Sequence, residues 1–330
     1  MYTYQVYKQN PMPKTIVSYL YGLVTGYKVT ATSLARQFGF SHDRITRMLV
    51  SRFPWKKWYI WCINRLFNIL DGGYLIIDDV VLAKPFGKLF TNASFVYSSS
   101  DDKSVFGYNI VMIVWTNGTI TIPLSWRWYK KGSYTKVELA MFLLEEVRFK
   151  WRVKNCIILY DSWYAAAKVM RLIRRLGYHF VSQIKKNRKV NGVPFSTLQI
   201  QNDILLQGTV AGDIRLYYFK HEDKYYCTDL SGTDTQQIHQ LYRIRWKIEE
   251  VFRFLKTALK MEKCQATRIT AQKTHLVGCI LSYLILQKEQ QEHTTFQSLY
   301  QIHESWLFNK HIARCRINHY VKVLGLNAYC

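Results

Sequence analysis

Four polar residues on a helix predicted to begin near Leu241 have types and spacing suited to phosphate chemistry. Tyr242, Arg245, Glu249 and Lys256 follow the pattern Y-x-x-R-x-x-x-E-x-x-x-x-x-x-K. At about 100° per residue, they fall within about 60° of one another on one stripe of an α-helix. This stripe can set a metal-binding carboxylate beside cations that bind a polyanion. The alternative interpretation is a solvated charged face on a core helix.

The rest of this helix supports a buried face and a wider cationic stripe. Its apolar residues gather in one arc, which predicts burial of that side. They are Leu241, Ile244, Ile248, Phe252, Leu255 and Leu259. Arg253 and Lys260 are predicted to join the polar stripe and contact DNA. Glu249 is the candidate metal ligand rather than Glu250, because the two lie about 100° apart around the helix.

Two aspartates on predicted strands supply further carboxylates. Asp78 interrupts the apolar run 74–82, which is typical of a central strand, and Asp161 ends the strand 156–160. Desolvating a carboxylate costs several kcal/mol unless a cation or hydrogen bonds compensate it. The alternative role of Asp78 is therefore that of a core acid in a salt bridge, and the alternative role of Asp161 is that of a helix N-cap. Together with Glu249, they are better explained as ligands of two Mg²⁺ ions about 3.5–4 Å apart, with Mn²⁺ as a substitute ion.

The elements that must position these acids alternate between strands and helices. Strands are predicted at 74–82, 105–115, 119–128, 156–160 and 178–184, and helices at 135–152 and 165–176. Asn117-Gly118 predicts a hairpin between the second and third strands. This order indicates an α/β fold of the ribonuclease-H-like type, a mixed sheet with helices on both faces.

A small β-insertion is predicted at about 190–232, before the signature helix. Its short strands fall at 204–210, 214–220 and 225–230. Its aromatic residues have two interpretations, stacking on unpaired bases or packing of the sheet, of which packing is favoured. They are Tyr217, Tyr218, Phe219, Tyr225 and Tyr226.

Residues 1–70 are predicted to form a helical region that contains a helix-turn-helix. A helix at 32–38 and a second at 42–50 flank a turn at Gly39, and Arg44 and Arg47 point outward from the second helix. A plain helical hairpin is the alternative, and the basic charge favours DNA binding. The predicted organisation continues with a catalytic domain at 71–262 and a C-terminal helical region at 263–330.

Composition narrows the class of partner. The 330 residues are 49% hydrophobic and carry a net charge of +24, from 46 Lys plus Arg against 22 Asp plus Glu. This charge favours a polyanion, namely double-stranded DNA, over a small neutral substrate.

The apolar run 276–286 is too short to span a bilayer and predicts a core helix rather than a membrane protein. No signal peptide is recognisable, which predicts a cytoplasmic protein. The seven scattered cysteines, without a C-x-x-C pair, predict buried thiols.

Three segments carry a resemblance to a known family. The runs Leu-Ile-Ile-Asp-Asp-Val-Val at 75–81 and Tyr-Asp-Ser-Trp-Tyr at 160–164, with the Tyr-Arg-Glu-Lys helix, resemble bacterial insertion-sequence transposases of the Asp-Asp-Glu class. The resemblance spans about 72–287. It implies a ribonuclease-H-like catalytic domain and Mg²⁺-dependent cleavage at the element's ends, commonly through DNA hairpins, followed by joining to target DNA. Val80 stands where the family usually has threonine or a similar polar residue, which leaves Asp78 and Asp79 both open as the first ligand.

The resemblance also implies roles for further residues. Tyr242, Arg245 and Lys256 would hold phosphates near the cleaved end, and Trp163 would either stack on DNA or belong to the core. The predicted function is a DNA transposase that brings two terminal inverted repeats together in a homodimer or larger synaptic assembly at the bacterial nucleoid and joins them to target DNA. The alternatives are a related nuclease that does not integrate and a catalytically silent DNA-binding protein.

Overall fold

The structure of this chain is a computed structural model. It describes residues 12–26, 30–51, 53–67, 72–85, 87, 89–98, 102–293 and 298–324. The chain divides into two compact units. The helical unit comprises Met1–Ile69, Leu82–Gly107 and Phe252–Cys330, and the sheet unit comprises Leu70–Val81 and Tyr108–Val251. The predicted three-domain division at 70/71 and 262/263 stays a prediction.

The strands are assigned to one sheet. They are β1 (Tyr74–Ala83), β2 (Ser94–Ser98), β3 (Lys103–Thr116), β4 (Thr121–Tyr129), β5 (Ile157–Tyr160), β6 (His179–Ile184), β7 (Lys189–Val190), β8 (Val193–Pro194), β9 (Leu206–Val210), β10 (Ile214–His221) and β11 (Lys224–Thr228). Their order in the described residues is β2-β3-β1-β5-β6-β11-β10-β9-β7-β8, and β4 also pairs with β3. β1, β5 and β6 are parallel, whereas β3 and β4 are antiparallel. This mixed sheet agrees with the predicted element order.

The described helices complete both units. They are α1 (Met12–Val24), α2 (Ala31–Phe38), α3 (His42–Leu49), α4 (Trp55–Leu66), α5 (Lys136–Glu146), α6 (Ala167–Arg175), α7 (Thr235–Arg243), α8 (Trp246–Thr257), α9 (Ile269–Glu292), α10 (Leu299–Phe308) and α11 (Lys310–Val323). One π-helical turn, Val147–Trp151, extends α5, and a 3₁₀ turn covers Phe195–Thr197.

The hairpin between β3 and β4 forms at the predicted dipeptide. Gly118 takes a left-handed φ of 94°, and the Asn117 side-chain oxygen accepts hydrogen bonds from the amides of Thr119 and Ile120, each at 3.0 Å. These bonds hold four residues in the loop, so β4 begins at Thr121 rather than at the predicted residue 119. The local turn chemistry therefore fixed the hairpin, and the side-chain bonds set its length.

The β-insertion extends the main sheet. β10 pairs antiparallel with β9 and β11, and β11 pairs antiparallel with β6. Tyr218, Phe219 and Tyr226 are buried, and the rings of Phe219 and Tyr226 stack at 5.2 Å. The favoured packing interpretation is confirmed for these three aromatic residues, since their rings are already covered by the fold.

The predicted helix-turn-helix segment forms two helices, α2 and α3. Thr30 caps α2 with a reciprocal capping box, Gly39 ends it in the left-handed conformation, and the Ser41 side chain accepts from the Asp43 amide at the start of α3. The buried residues are Leu34, Ile45, Met48 and Leu49, while Arg44 and Arg47 are exposed. The helices and the outward arginines agree with the prediction, and DNA binding by them stays a prediction.

The core of the helical unit is built around α9. This 24-residue helix is long and apolar enough by length and composition to cross a membrane, yet 83% of its most apolar window is buried inside the protein. It packs against α1, α4 and α10, as predicted for a core helix. The prediction of buried thiols is confirmed for Cys62, Cys156, Cys227, Cys264 and Cys279, is wrong for exposed Cys315, and for Cys330 falls outside the described residues.

Candidate active site

Asp78 and Glu249 share one cation in the sheet unit. Arg245 donates from Nη1 to Oδ2 of Asp78 at 2.8 Å and from Nη2 to Oε1 of Glu249 at 2.6 Å. Asp78 lies in β1, and Glu249 lies in the first turn of α8. One guanidinium therefore brings together a strand acid and a helix acid that are 171 positions apart in the printed sequence.

Asp161 directly follows the neighbouring parallel strand β5 and is level with Asp78, which lies within β1. Ile77 of β1 is in register with Tyr160 of β5. Asp78 follows Ile77 in the chain and Asp161 follows Tyr160, so the two acids are at the same level of the sheet. The Asp161 carboxylate accepts a hydrogen bond from the Trp163 amide at 3.0 Å. It is not the N-cap of α6, since that position belongs to Ala166. The N-cap alternative for Asp161 is therefore wrong.

The acids carry more negative charge than the neighbouring cation compensates. Burial and the charge of Asp161 raise the pKa of Asp78 to about 7, although Arg245 opposes this increase. Burial also raises the pKa of Asp161, against the Trp163 hydrogen bond and Arg245. Carboxyl groups of this kind favour an additional cation, because ionising them together costs free energy.

The adjacent Asp79 has a different set of partners. Its Oδ2 accepts from Asn109 Nδ2 at 2.6 Å and from Lys136 Nζ at 2.7 Å, and its Oδ1 accepts from the Tyr164 hydroxyl at 2.8 Å. These three bonds connect β1 to β3, α5 and the turn after β5. Asp79 is thus saturated with structural partners, whereas Asp78 shares Arg245 with Glu249.

The prediction of one continuous signature helix is wrong. α7 ends at Arg243 and α8 begins at Trp246, with Ile244 and Arg245 in a turn between them. In this turn the amide of Arg245 donates to the carbonyl of Tyr242, three residues back, at 3.0 Å. The tighter turn shifts the helix register at Arg245, whose guanidinium is held by two carboxylates. Sequence periodicity does not contain this tertiary constraint.

Tyr242 lies beneath Arg245. It is 8% exposed, and its ring centroid is 5.5 Å from Cζ of Arg245. Burial raises the pKa of Tyr242, which keeps its hydroxyl neutral at physiological pH. In this structure Tyr242 therefore supports the guanidinium, and a direct phosphate contact by Tyr242 stays a prediction.

The other predicted cations lie on residues of the helical unit. Lys256 Nζ pairs with Glu262 Oε1 at 3.0 Å, and Arg253 is exposed on α8. Lys260 lies beyond the end of α8 with a left-handed φ of 56°, so the prediction that it continues the helical stripe is wrong. The chain reverses there, and the Lys260 ammonium donates to the carbonyl of Thr257 at 2.6 Å. The predicted apolar face is buried at Ile248, Phe252, Leu255 and Leu259, and Leu241 and Ile244 are half-buried.

A cavity of ≈ 690 Å³ adjoins Arg245 within the sheet unit. Basic and aromatic side chains dominate its lining, which also includes one acid and uncharged residues. Its basic and aromatic lining residues are Lys224, Tyr226, His239, Tyr242, Arg243, Arg245, Trp246 and Lys247. Periodicity gave no signal for this cavity, because its walls come from β6, β11, α7, the turn before α8 and the first turns of α8. Such a lining suits a phosphate chain with attached bases.

The donor set is suited to a hard divalent cation. Asp78, Asp161 and Glu249 offer carboxylate oxygens, which are the ligands that Mg²⁺ prefers. Within the described residues, no three His, Cys, Asp or Glu side chains are grouped closely enough to hold a metal ion. Arg245 bridges Asp78 and Glu249 instead. Asp78 and Glu249 therefore meet at a shared cation, and the role of the three acids as metal ligands stays a prediction.

Comparison with known proteins assigns the chain to a class. The model of the transposase DDE domain family matches residues 73–285, so the chain belongs to this family. It is 27% identical over 131 residues to a transposase of insertion sequence element IS4SA from Synechocystis sp., covering 36% of this chain. That match spans 37% of the relative's own length. The predicted membership of the Asp-Asp-Glu insertion-sequence transposases is confirmed.

Solved structures bear on the fold alone. The chain is similar to the piggyBac transposase in a synaptic complex with hairpin DNA, with a TM-score of 0.59 at 12% identity. The similarity covers 96% of this chain and 73% of that chain. The predicted ribonuclease-H-like fold is confirmed. A Mos1 transposase paired-end complex aligns over 46% of this chain and 53% of its own with a TM-score of 0.21, which is too low to inform the fold.

Proposed function

We propose that this protein cleaves DNA at the ends of an insertion sequence and joins those ends to target DNA. The observation that carries this proposal is that Asp78 and Glu249 share Arg245, while Asp161 directly follows β5 level with Asp78 on the neighbouring strand β1. Membership of the transposase DDE domain family supports the same reaction class. The net charge of +24 supports double-stranded DNA as the substrate.

Asp78, Asp161 and Glu249 would hold the divalent metal. Two bound Mg²⁺ or Mn²⁺ ions would supply activation of the attacking water or 3′-hydroxyl and stabilisation of the leaving oxygen. The three carboxylates suit this role, because burial and then the charge of Asp161 raise the pKa of Asp78 to about 7 even with Arg245 beside it, and a bound cation would relieve both causes. Asp79 is assigned a structural role, since its oxygens already accept bonds from Asn109, Lys136 and Tyr164.

Arg245 would exchange partners during the reaction. In this structure it pairs with Asp78 and Glu249. If those acids were to hold metal, the guanidinium fork would become available to a DNA phosphate and could bind it in a bidentate fashion. Tyr242 keeps the guanidinium in place, and the basic and aromatic cavity beside it would accommodate the strand end. Lys256 and Arg253 on α8, with Lys260 beyond it, would add phosphate contacts.

DNA recognition would involve both units. Arg44 and Arg47 on α3 are exposed and are proposed to contact the terminal inverted repeats, with α3 as the recognition helix. Bringing two repeats together requires a homodimer or larger assembly on DNA, and the setting would be the bacterial cytoplasm at the nucleoid. The hairpin DNA in the similar piggyBac complex makes a hairpin intermediate one route to test here.

The test is a cleavage and joining assay on DNA that carries the element's own terminal repeats. Purified protein should nick and join such DNA with Mg²⁺ or Mn²⁺ but not in EDTA, and scrambled ends should remain intact. Cleavage without joined product would identify the protein as a nuclease. Binding without cleavage under every divalent metal would identify it as a silent DNA-binding protein and reject the proposal.

A further inference from the structure

Trp163 presents an exposed indole directly beside a candidate catalytic acid. It lies two residues after Asp161, and its backbone amide donates to Oδ1 of Asp161 at 3.0 Å. The residue remains 53% exposed, so the alternative that Trp163 belongs to the core is wrong. Since the turn after β5 fixes its backbone to the acid, any group that stacks on the indole is held close to Asp161.

Two ammonium groups gather over this ring. Lys185 Nζ lies 4.4 Å from the centroid, and Lys136 Nζ lies 5.6 Å from it. Lys185 follows β6, and Lys136 begins α5, so three separate elements meet at the indole. Lys136 also pairs with Asp79, whereas within the described residues Lys185 forms no salt bridge with a carboxylate. The arrangement combines the flat π surface of the indole with two positive charges, of which, in the described part of the chain, that of Lys136 is paired with a carboxylate and that of Lys185 is not.

This combination matches the two parts of an unpaired nucleotide. Bases stack on aromatic side chains with little dependence on sequence, because every base has a π-face. The linking phosphates pair with ammonium groups as point charges. A paired duplex keeps its bases covered by their neighbours, so an indole of this kind has access to a base only where a strand end is frayed or single-stranded.

We propose that Trp163, Lys185 and Lys136 form a nucleotide-binding subsite adjoining Asp161. The indole stacks on an unpaired base at the DNA end, and Lys185 binds a flanking phosphate while Lys136 holds the ring from the Asp79 side. The subsite rests on the proposed function, since it places the strand end next to the acids. It makes Trp163 a positioning residue for the scissile phosphate.

Photo-cross-linking tests the contact without requiring cleavage. The probe is a duplex whose mismatched terminal bases include 5-iodouracil, bound in EDTA and irradiated, with the cross-linked peptide identified by mass spectrometry. We expect a cross-link at Trp163 and its loss in Trp163→Ala. Trp61, which is 39% exposed on α4 of the helical unit, gives the matched control, and Trp61→Ala should retain the cross-link. A cross-link found only at other residues would overturn the subsite.

Affinity measurements separate stacking from charge. Trp163→Ala should bind the frayed duplex about tenfold more weakly while binding a fully paired duplex normally, and Trp163→Phe should recover part of the difference. Lys185→Ala should reduce the slope of log affinity against log salt by about 0.7–0.9, the value for one phosphate contact. Equal weakening on frayed and paired DNA, or none on either, would contradict the proposal.

The outcomes distinguish this inference from the proposed function. If the unaltered protein cross-links at Trp163 but never cuts terminal-repeat DNA, the subsite stands and the assigned reaction fails. If the protein cuts that DNA and Trp163→Ala matches it in KM, kcat and cross-linking, the reaction stands and the subsite fails.

Discussion

The sheet unit contains a half-buried polar cluster and the helical unit a buried one, and the two clusters differ in charge balance. In the sheet unit, Arg245 faces several acids, and the pKa of Asp78 rises to about 7. In the helical unit, neutral His275 accepts from the Tyr19 hydroxyl at Nδ1, 2.7 Å away, and donates from Nε2 to the Lys260 carbonyl at 3.1 Å. The first cluster has acceptors in excess, whereas the second is complete.

The difference separates a functional cluster from a structural one. A network in which each donor has an acceptor rigidifies the fold at little electrostatic cost. A cluster of acids with too few cations lowers stability, and the bound cation that relieves this cost is the natural ligand of such a site. Asp78 and Asp79 differ in a similar way within β1, because Asp79 accepts from three structural side chains, whereas Asp78 accepts from the Asp79 amide and, among the described residues, shares its one side-chain donor, Arg245, with Glu249.

The largest effect is expected from removing a carboxylate of the unbalanced cluster. Asp161→Ala should reduce Mg²⁺-dependent cleavage of terminal-repeat DNA at least about a thousandfold, because metal-assisted charge stabilisation is worth several kcal/mol. DNA affinity should stay within about threefold of the unaltered protein, since phosphate contacts spread over the basic surface supply most of it. Single-turnover cleavage and filter binding, measured together, check both statements.

Asp213→Ala is the matched control for Asp161→Ala. Asp213 pairs with Arg171 at 2.7 Å, and both residues are exposed in the sheet unit. Such surface pairs contribute about 0–1 kcal/mol, so this variant should cleave normally. If Asp161→Ala nicked terminal-repeat DNA at the rate of the unaltered protein, Asp161 would have no role in the mechanism. The charge imbalance of its cluster would then not mark a functional site.

The complete cluster around His275 should instead make the free energy of unfolding of the protein decrease at acid pH. Burial lowers the pKa of His275 to about 4, against an ordinary value of 6.5. The unfolded chain thus binds a proton at a higher pH than the folded protein does. The stability from neutral His275 is complete above about pH 6.5, falls as the pH decreases towards 4, and has declined by the order of 3 kcal/mol once both states are protonated.

Urea unfolding between pH 7.5 and 4 measures this loss. His275→Gln should lower stability at pH 7.5 and flatten its decrease towards acid pH. His303 also has its pKa lowered to about 4, by burial and the charge of Lys260, so part of the slope should remain. An unchanged slope in His275→Gln would show that this network is not the acid-sensitive element of the helical unit.

Local sequence signals were sufficient for much of the fold and for selecting the candidate acids. A carboxylate inside the apolar run of β1 is conspicuous because buried strands rarely contain charged side chains. Asn117-Gly118 identifies the hairpin between β3 and β4 by turn chemistry alone. The periodicity of α8 likewise identified its buried side at Ile248 and Leu255. Each of these signals depends on residues that are close in sequence.

The errors arose where long-range contacts decide the outcome. The partners of Asp79 come from 30, 57 and 85 positions along the chain, so no local pattern distinguishes it from Asp78. The break at Ile244 and Arg245 accompanies ion pairs that reach β1 and α8. The sequence did not decide whether Trp163 is exposed, because tryptophan is common both in protein cores and at binding surfaces.

A smaller effect is expected at Arg245, the cation of the unbalanced cluster. Arg245→Ala should lower kcat/KM for terminal cleavage about 10- to 100-fold, as the loss of charge-assisted phosphate contacts implies. Arg245→Lys should recover only part of this loss, because an ammonium lacks the bidentate fork. Higher Mg²⁺ should not restore either variant. Rescue by Mg²⁺ alone would mean that Arg245 acts on metal affinity instead of on the DNA.

The smallest effect should come from Glu250, the neighbour of Glu249 on α8. Glu249 pairs with Arg245, whereas Glu250 pairs with Lys247 at 3.0 Å, a largely exposed pair at the wall of the cavity beside Arg245. A surface pair three residues apart on a helix contributes about 0.2–0.5 kcal/mol, so Glu250→Ala should cleave within about twofold of the parental rate. Glu249→Ala should lose activity as severely as Asp161→Ala. The reverse ranking in a single-turnover assay would mean that α8 is rotated relative to β1 in the active protein, with Glu250 as the acid beside Asp78.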